Sequence, residues 1–332
     1  MVKREAVAAG AGQTRRRGSE AGFSLPELLV ATTIMLVISS TVTSALLHMT
    51  NAQRTIWNRT ELHAGVRSAT ELLQQEVGQA GRVTLPAAAT LTAAVAAGAT
   101  SASVSSASGI FRGEQLVIGA GSTSETVWVN STPVGTTLTA ISSTGATGAC
   151  STGFCYAHAA GEPVQAYGGF SSGVVPTNMA NGSTGTVLKL YGDINGDGQM
   201  VYVEYTCNIA NGNLYRNMMA WNAASKPAVT ASQILLGNIV ANPGGTACFT
   251  YQQSTVNGVT YVTDVAITLT VQTQQLDPIT RQFQTETKAL LNVSPRNVFN
   301  VWELASQGSY FRVQPAPASL LSAPPSITAL LP

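Results

Sequence analysis

The stretch AGFSLPELLVATTIMLVISS, residues 21–40, decides how the rest of the chain is read. It is apolar enough for a membrane helix, yet it carries one charge, Glu27, with no basic partner inside the span. A charged side chain near the bilayer centre costs of order ~3 kcal/mol on insertion scales, so its presence needs a reason. The apolar run extends over residues 23–47, FSLPELLVATTIMLVISSTVTSALL, and Glu27 remains its only charge. At ~1.5 Å rise per residue, a helix of that length crosses a hydrocarbon core of ~30 Å. Pro26 is tolerated because it falls in the first turn, where its missing N–H had no partner anyway.

Upstream lies a basic leader, residues 1–22, containing Lys3, Arg4, Arg15, Arg16 and Arg17. Such a cluster marks the cytoplasmic side of a membrane segment. It also takes up much of the positive charge: the chain has 332 residues with a formal net charge of +1, so the part beyond the leader is slightly acidic. With charged residues at only 10%, the composition argues against a basic nucleic-acid surface and against charge-driven disorder. It gives no evidence of a nucleic-acid partner.

Downstream, no helix breaker appears until Gly65, and the pattern turns amphipathic. Leu62, Val66, Ala69, Leu73, Val77 and Ala80 recur at helical spacing, while Arg59, Glu61, Arg67, Glu71 and Glu76 lie mostly elsewhere. One helix is therefore expected from about residue 24 to about 80, within a segment 23–82, stopped by Gly78, Gly81 and Pro86. Its first half is membrane-spanning and its second half packs along one apolar stripe. Residues 87–168 read as a small inserted β-rich module of short runs (EQLVIG, ETVWVN, TTLTAI, EPVQAY) between Gly/Ser turns. Residues 169–313 read as a second antiparallel β region, loop-like over 169–185. In it VTYVTDVAITLTV, residues 259–271, alternates as a half-buried strand, and Asn-Gly pairs at 195–196, 211–212 and 257–258 mark hairpins. Residues 314–332 form a Pro-rich, flexible tail. The expected class is α+β: a long N-terminal helix packed on an antiparallel sheet, with an additional small β module.

Four cysteines in a chain with an export signal favour disulfides. Cys150 with Cys155 and Cys207 with Cys248 is the preferred pairing; four cysteines allow three pairings, and buried free thiols are the alternative. Zinc is not expected, because no CxxC occurs and no histidine pair has ligand spacing.

GFSLPELL after a basic leader resembles the prepilin signal of type IV pilin-like proteins. The resemblance implies cleavage by a prepilin peptidase between Gly22 and Phe23 and N-methylation of Phe23. Glu27 then becomes the fifth mature residue, where the family has its glutamate. The helix end LLQQEVGQAGR and the pattern VYVEYTC followed by GNLYR are similar to PilW-like minor pilins, or to J-type pseudopilins of type II secretion. This implies insertion in a bacterial inner membrane with the leader cytoplasmic and the C-terminal domain periplasmic. Incorporation in a filament follows, near its tip or as a primer of assembly, with other pilins and the assembly machinery as partners. Glu27 would pair with the Phe23 amine of a neighbour, a contact worth up to ~4 kcal/mol at ~4 Å and an effective dielectric near 20, before desolvation. The resemblance departs from the family at Pro26, where an aliphatic residue is commoner, and in the large mature chain, which disfavours a major shaft subunit. Two other readings of the N-terminus stay open: an ordinary membrane anchor with a snorkelling glutamate, and a secretory signal ending at residues 43–45. A membrane-anchored binding module outside any filament is the functional alternative.

A second chemical signal is DINGDGQMVYVE, residues 193–204, which matches the EF-hand loop D-x-N-x-D-G-x5-E. Asp193, Asn195, Asp197, the Gln199 carbonyl and Glu204 would be the ligands for Ca²⁺. The flanks are strand-like rather than helical, so a polar hairpin turn is the competing reading. No cofactor is required otherwise. His48, His63 and His158 lack a matching nucleophile or metal spacing and read as surface or packing residues. No G-x-S-x-G, phosphate loop or H-E-x-x-H occurs, so no catalytic residue is assigned.

Overall fold

The computed structural model describes residues 22–143, 150, 152–166, 168–179, 181–221, 223, 226–309 and 313–314. The leader up to residue 21 and the Pro-rich tail beyond residue 314 lie outside them. The chain divides into two compact units, Met1–Arg54 and Thr55–Pro332.

Helix α1 (Leu25–Gln79) is 55 residues long, close to the expected span of 24–80. In the first unit its residues are exposed, from Leu25 to Thr50. Among the described residues it is the one helix long and apolar enough to cross a membrane, consistent with a single-pass anchor. In the second unit the amphipathic stripe is buried as its spacing requires: Val66, Ala69, Leu73, Val77 and Ala80 are in the core, and Leu62 packs partly against it.

The helix stops where Gly81 takes φ +83°. A Cβ there would stand 2.9 Å from Val298 Cγ2 and 3.1 Å from the Phe170 carbonyl, so the turn is both left-handed and crowded, a place for glycine. The Asn297 amide donates to the terminal carbonyls of Gln79 (3.2 Å) and Ala80 (3.3 Å), completing the C-terminal cap.

Residues 89–166 build a sheet and core of their own. The strands are β1 (Ala89–Thr90), β2 (Ala102–Ser103), β3 (Gln115–Ile118), β4 (Glu125–Val129), β5 (Thr137–Leu138), β6 (Ile141–Ser143) and β7 (Pro163–Ala166). Five of them form an antiparallel sheet in the order β1-β7-β3-β4-β6, and β2 pairs with β5. Leu91, Val104, Leu116, Ile118, Val127, Val129, Leu138 and Phe154 fill the space between them.

The remaining strands are β8 (Gly169–Phe170), β9 (Val187–Gly192), β10 (Val201–Asn208), β11 (Asn213–Ala220), β12 (Ile234–Gly237), β13 (Ile239–Val240), β14 (Phe249–Val256), β15 (Val259–Gln272) and β16 (Thr285–Val293). They are followed by helix α2 (Arg296–Ser306) and β17 (Val313–Gln314). One four-stranded antiparallel sheet runs β12-β11-β10-β9. In the other, β15 is flanked by β14 and β13 on one edge and β16 on the opposite edge. The α1 stripe shares a single core with both sheets, through Leu188, Val203, Leu214, Phe249, Val265, Ile267 and Leu269. Each such fully buried aliphatic or aromatic side chain contributes about 1.5–3 kcal/mol. The Asn257-Gly258 hairpin has both residues at positive φ (49° and 79°), the two-residue turn that matches strand twist.

Two details differ from expectation. Residues 171–175, read as loop, are irregular but buried, because Val174 and Val175 fill gaps beside β9. Gln314, placed in the flexible tail, is fully buried: its amide exchanges hydrogen bonds with the Gln115 backbone (2.8 and 2.7 Å), and β17 pairs with β8.

Candidate functional site

At the start of the anchor helix, Gly22 and Phe23 are exposed, Phe23 at 84%. Ser24 is the last residue before α1, and its carbonyl receives the Leu28 N–H at 3.1 Å. Glu27 Oε2 accepts both the Ser24 N–H (3.0 Å) and the Ser24 hydroxyl (2.8 Å). This is the glutamate half of a capping box, which satisfies an amide that the helix start would leave open. Glu27 therefore has a use within its own chain. The S-x-x-E spacing of Ser24 and Glu27 was in the sequence and carries that signal. Further along, Thr32, Thr33, Ser40 and Thr41 donate their hydroxyls to carbonyls one turn back, at 2.7–3.2 Å. Their polar atoms are thereby satisfied without water, as an apolar environment requires.

The β9–β11 sheet is buried on both faces, and each face carries a polar cluster. On the face toward α1, Glu76 accepts from Tyr205 Oη (2.5 Å) and from Arg216 Nε and Nη2 (3.0 and 2.5 Å). The helical spacing puts Glu76 off the apolar stripe, yet it is only 4% exposed, and the guanidinium and phenol are what make that position tenable. On the opposite face lie Tyr202, Glu204, Lys189 and Asn217, with Lys226 and Asn181 beside them. Glu204 pairs with Lys226 and accepts from Tyr202 Oη at 3.0 Å.

That arrangement bears on the five expected calcium ligands. Asp193, Asn195, Asp197, Gln199 and Glu204 are not brought to one centre: among the described residues no group of three acidic, His or Cys side chains is placed to hold a metal ion. Glu204 sits in the middle of β10, where an extended chain advancing ~3.3 Å per residue carries it away from the loop, and its carboxylate is committed to Lys226. Asp193 is buried and folds the turn instead. Its Oδ1 accepts the Asp197 N–H (3.1 Å), and its Oδ2 accepts the Gly198 N–H (3.2 Å) and the Thr84 hydroxyl (3.1 Å). Arg82 Nε lies 3.7 Å from the same oxygen. Asp197 Oδ1 accepts the Gln199 N–H at 2.9 Å, and the Asn195 amide points to Met218 Sδ at 3.6 Å. These bonds give the loop the form of a polar hairpin turn.

His158 is not a surface residue. It is buried between Glu125 (Nε2 to Oε1, 2.8 Å) and Glu162 (Nδ1 to Oε2, 2.6 Å). Glu125 also accepts the N–H groups of Cys155 (2.7 Å) and Tyr156 (2.9 Å). The Ala159 N–H and then His158 hold the Glu162 carboxyl below its usual range. The cluster ties the Cys150–Cys155 segment to β4, and no nucleophile is positioned beside it among the described contacts. His63, by contrast, is exposed and meets Glu286 in an open groove of about 530 Å³ lined also by Arg59, Leu62 and Gln284. Both disulfides are present, Cys150–Cys155 and Cys207–Cys248, with Cα atoms 5.4 and 6.5 Å apart.

Comparison with family models, with curated proteins and with solved structures finds no match to this chain.

Proposed function

We propose that this chain is a minor type IV pilin of the PilW-like kind, a structural subunit and not an enzyme. The observation that carries the reading is GFSLPELL after a basic leader, opening a continuous helix that is exposed and apolar at its start and amphipathic at its end. A prepilin peptidase removes residues 1–22 and Phe23 is methylated. The subunit waits in the inner membrane and then enters a filament through α1, priming assembly or standing near the tip. A J-type pseudopilin of a type II secretion system uses the same chemistry and is the nearest variant. The apolar helix then has two homes, lipid and the filament core, and the Glu27 carboxylate pairs with the Phe23 amine of the next subunit in the second.

A membrane-anchored β protein outside any filament is favoured by one observation, the cap that Glu27 makes on its own helix. Glu27→Gln separates the two roles, because a glutamine oxygen still accepts from the Ser24 N–H but has no charge for a neighbouring amine. The filament reading expects normal membrane levels and a loss of the subunit from sheared filaments of at least tenfold. Unchanged incorporation of the Glu27→Gln variant contradicts the pairing.

A further inference from the structure

The polar cluster on the outer face of the β9–β11 sheet contains more charge than its hydrogen bonds explain. Lys189, Asn181, Tyr202, Glu204 and Lys226 are each at most 3% exposed. Two buried lysines face one carboxylate, and Lys226 holds it directly. Lys189, although it is the cross-strand partner of Glu204 in the β9–β10 register, turns its Nζ onto Asn181. It lies 2.5 Å from Asn181 Oδ1 and 3.5 Å from the Asn181 backbone oxygen. The Asn181 Nδ2 is buried, with the Tyr202 phenol as its neighbour. The Tyr202 phenol lies beside the Asn181 amide and donates to Glu204 at 3.0 Å, so it bridges the amide and the carboxylate.

A primary amine, a carboxamide and a carboxylate buried together are the components of an amide exchange. We propose that Lys189 and Asn181 join covalently, forming an intrachain amide between their side chains with release of ammonia. The Lys189 Nζ attacks Asn181 Cγ, so the Nζ–Cγ bond forms and the Cγ–Nδ2 bond breaks. The proton lost from Nζ goes to the departing Nδ2, with Glu204 as its carrier through Tyr202. Nothing is oxidised or reduced, and no co-reactant is needed.

Burial holds the Lys189 amine below its usual range; Lys226 adds to this, and Glu204 opposes it. A desolvated amine of this kind is the nucleophilic form. Fixed proximity supplies most of the remaining rate, since effective molarities of ~10⁵–10⁸ M are reached by well-oriented intramolecular pairs. Escape of ammonia to solvent makes the bond permanent. The site is built from β9, β10 and the segments that hold Asn181 and Lys226, and it stands apart from the filament reading.

Mass spectrometry of the purified, folded full chain after disulfide reduction tests it. The expected mass is lower than the sequence mass by one ammonia, and digestion yields a branched peptide joining Lys189 to Asn181. A chain at its full sequence mass overturns the proposal. So does ammonia loss with only linear peptides, because Asn181-Gly182 can lose ammonia alone by closing to a succinimide. Lys189→Arg abolishes the branched peptide. Glu204→Gln, with its unfolding transition retained, forms the bond at least ~100-fold more slowly, and Glu204→Asp recovers it. An unchanged rate in the folded Glu204→Gln variant overturns the role given to Glu204.

Discussion

Glu114 makes the stability of this chain depend on pH in a direction opposite to that of most carboxylates. Its side chain is 1% exposed, and its one hydrogen bond in the structure is from the Phe111 N–H at 3.1 Å. Its neighbours Phe111 and Tyr191 both pack on Phe170, with ring centroids 5.8 and 4.7 Å apart. The Tyr191 hydroxyl, pushed up by burial and then by the nearby Glu114 charge, does not donate to the carboxylate. Burial therefore pushes the Glu114 carboxyl up to about 8, against the opposing pull of the Phe111 amide.

The folded pKa is raised above the unfolded value of 4.5. Between these values the unfolded chain has lost a proton that the folded chain keeps, so stability falls as pH rises. The contribution is whole below pH ~4.5 and gone above pH ~8, about 1.4 kcal/mol for each unit and no more than about 5 kcal/mol in total. Glu114→Gln replaces the protonated acid with a neutral group of the same shape and removes the dependence. Thermal unfolding of the full chain in detergent, followed by circular dichroism, compares the two chains at pH 4.5 and pH 8.5. The variant is expected to match the parent at the lower pH and to melt of order 10 °C higher at the upper. Parallel pH profiles, or a parent that is the more stable chain at pH 8.5, refute the reasoning.

The two disulfides differ in the length of chain they close, with separations of 41 residues for Cys207–Cys248 and 5 for Cys150–Cys155. Loop-closure entropy gives about 4 and about 2 kcal/mol, so replacing both cysteines of the longer loop with serine lowers the urea midpoint about twice as much as replacing the shorter pair. Equal losses in urea titrations contradict this assignment. Asp193→Ala removes the acceptor of two backbone amides and costs about 2–4 kcal/mol in the presence of a chelator, where no calcium can contribute. A loss seen only when calcium is supplied restores the metal reading of the loop.

Much of the fold was legible because it is local. The stripe from Leu62 to Ala80 follows the helical period, Gly81 ends it, and Asn257-Gly258 turns a hairpin through its own backbone preferences. The cap between Ser24 and Glu27 is equally local, carried by the S-x-x-E spacing alone. What was not legible depends on distant partners. Glu76 looks like a surface charge until Arg216 is placed beside it by β11, and His158 looks idle until β4 brings Glu125. The five residues of the calcium pattern lie apart in the structure for a geometric reason. The pattern needs the twelfth residue to turn back toward the first, and β10 instead runs straight, delivering Glu204 to Lys226.

The central claim is that GFSLPELL is a processing signal and not only the start of an anchor. Mass spectrometry of the N-terminus of the chain, isolated from membranes that contain prepilin peptidase, tests it directly. The expected N-terminus is Phe23 carrying one added methyl group, with residues 1–22 gone. An intact leader, or a cut near Ala45, contradicts it.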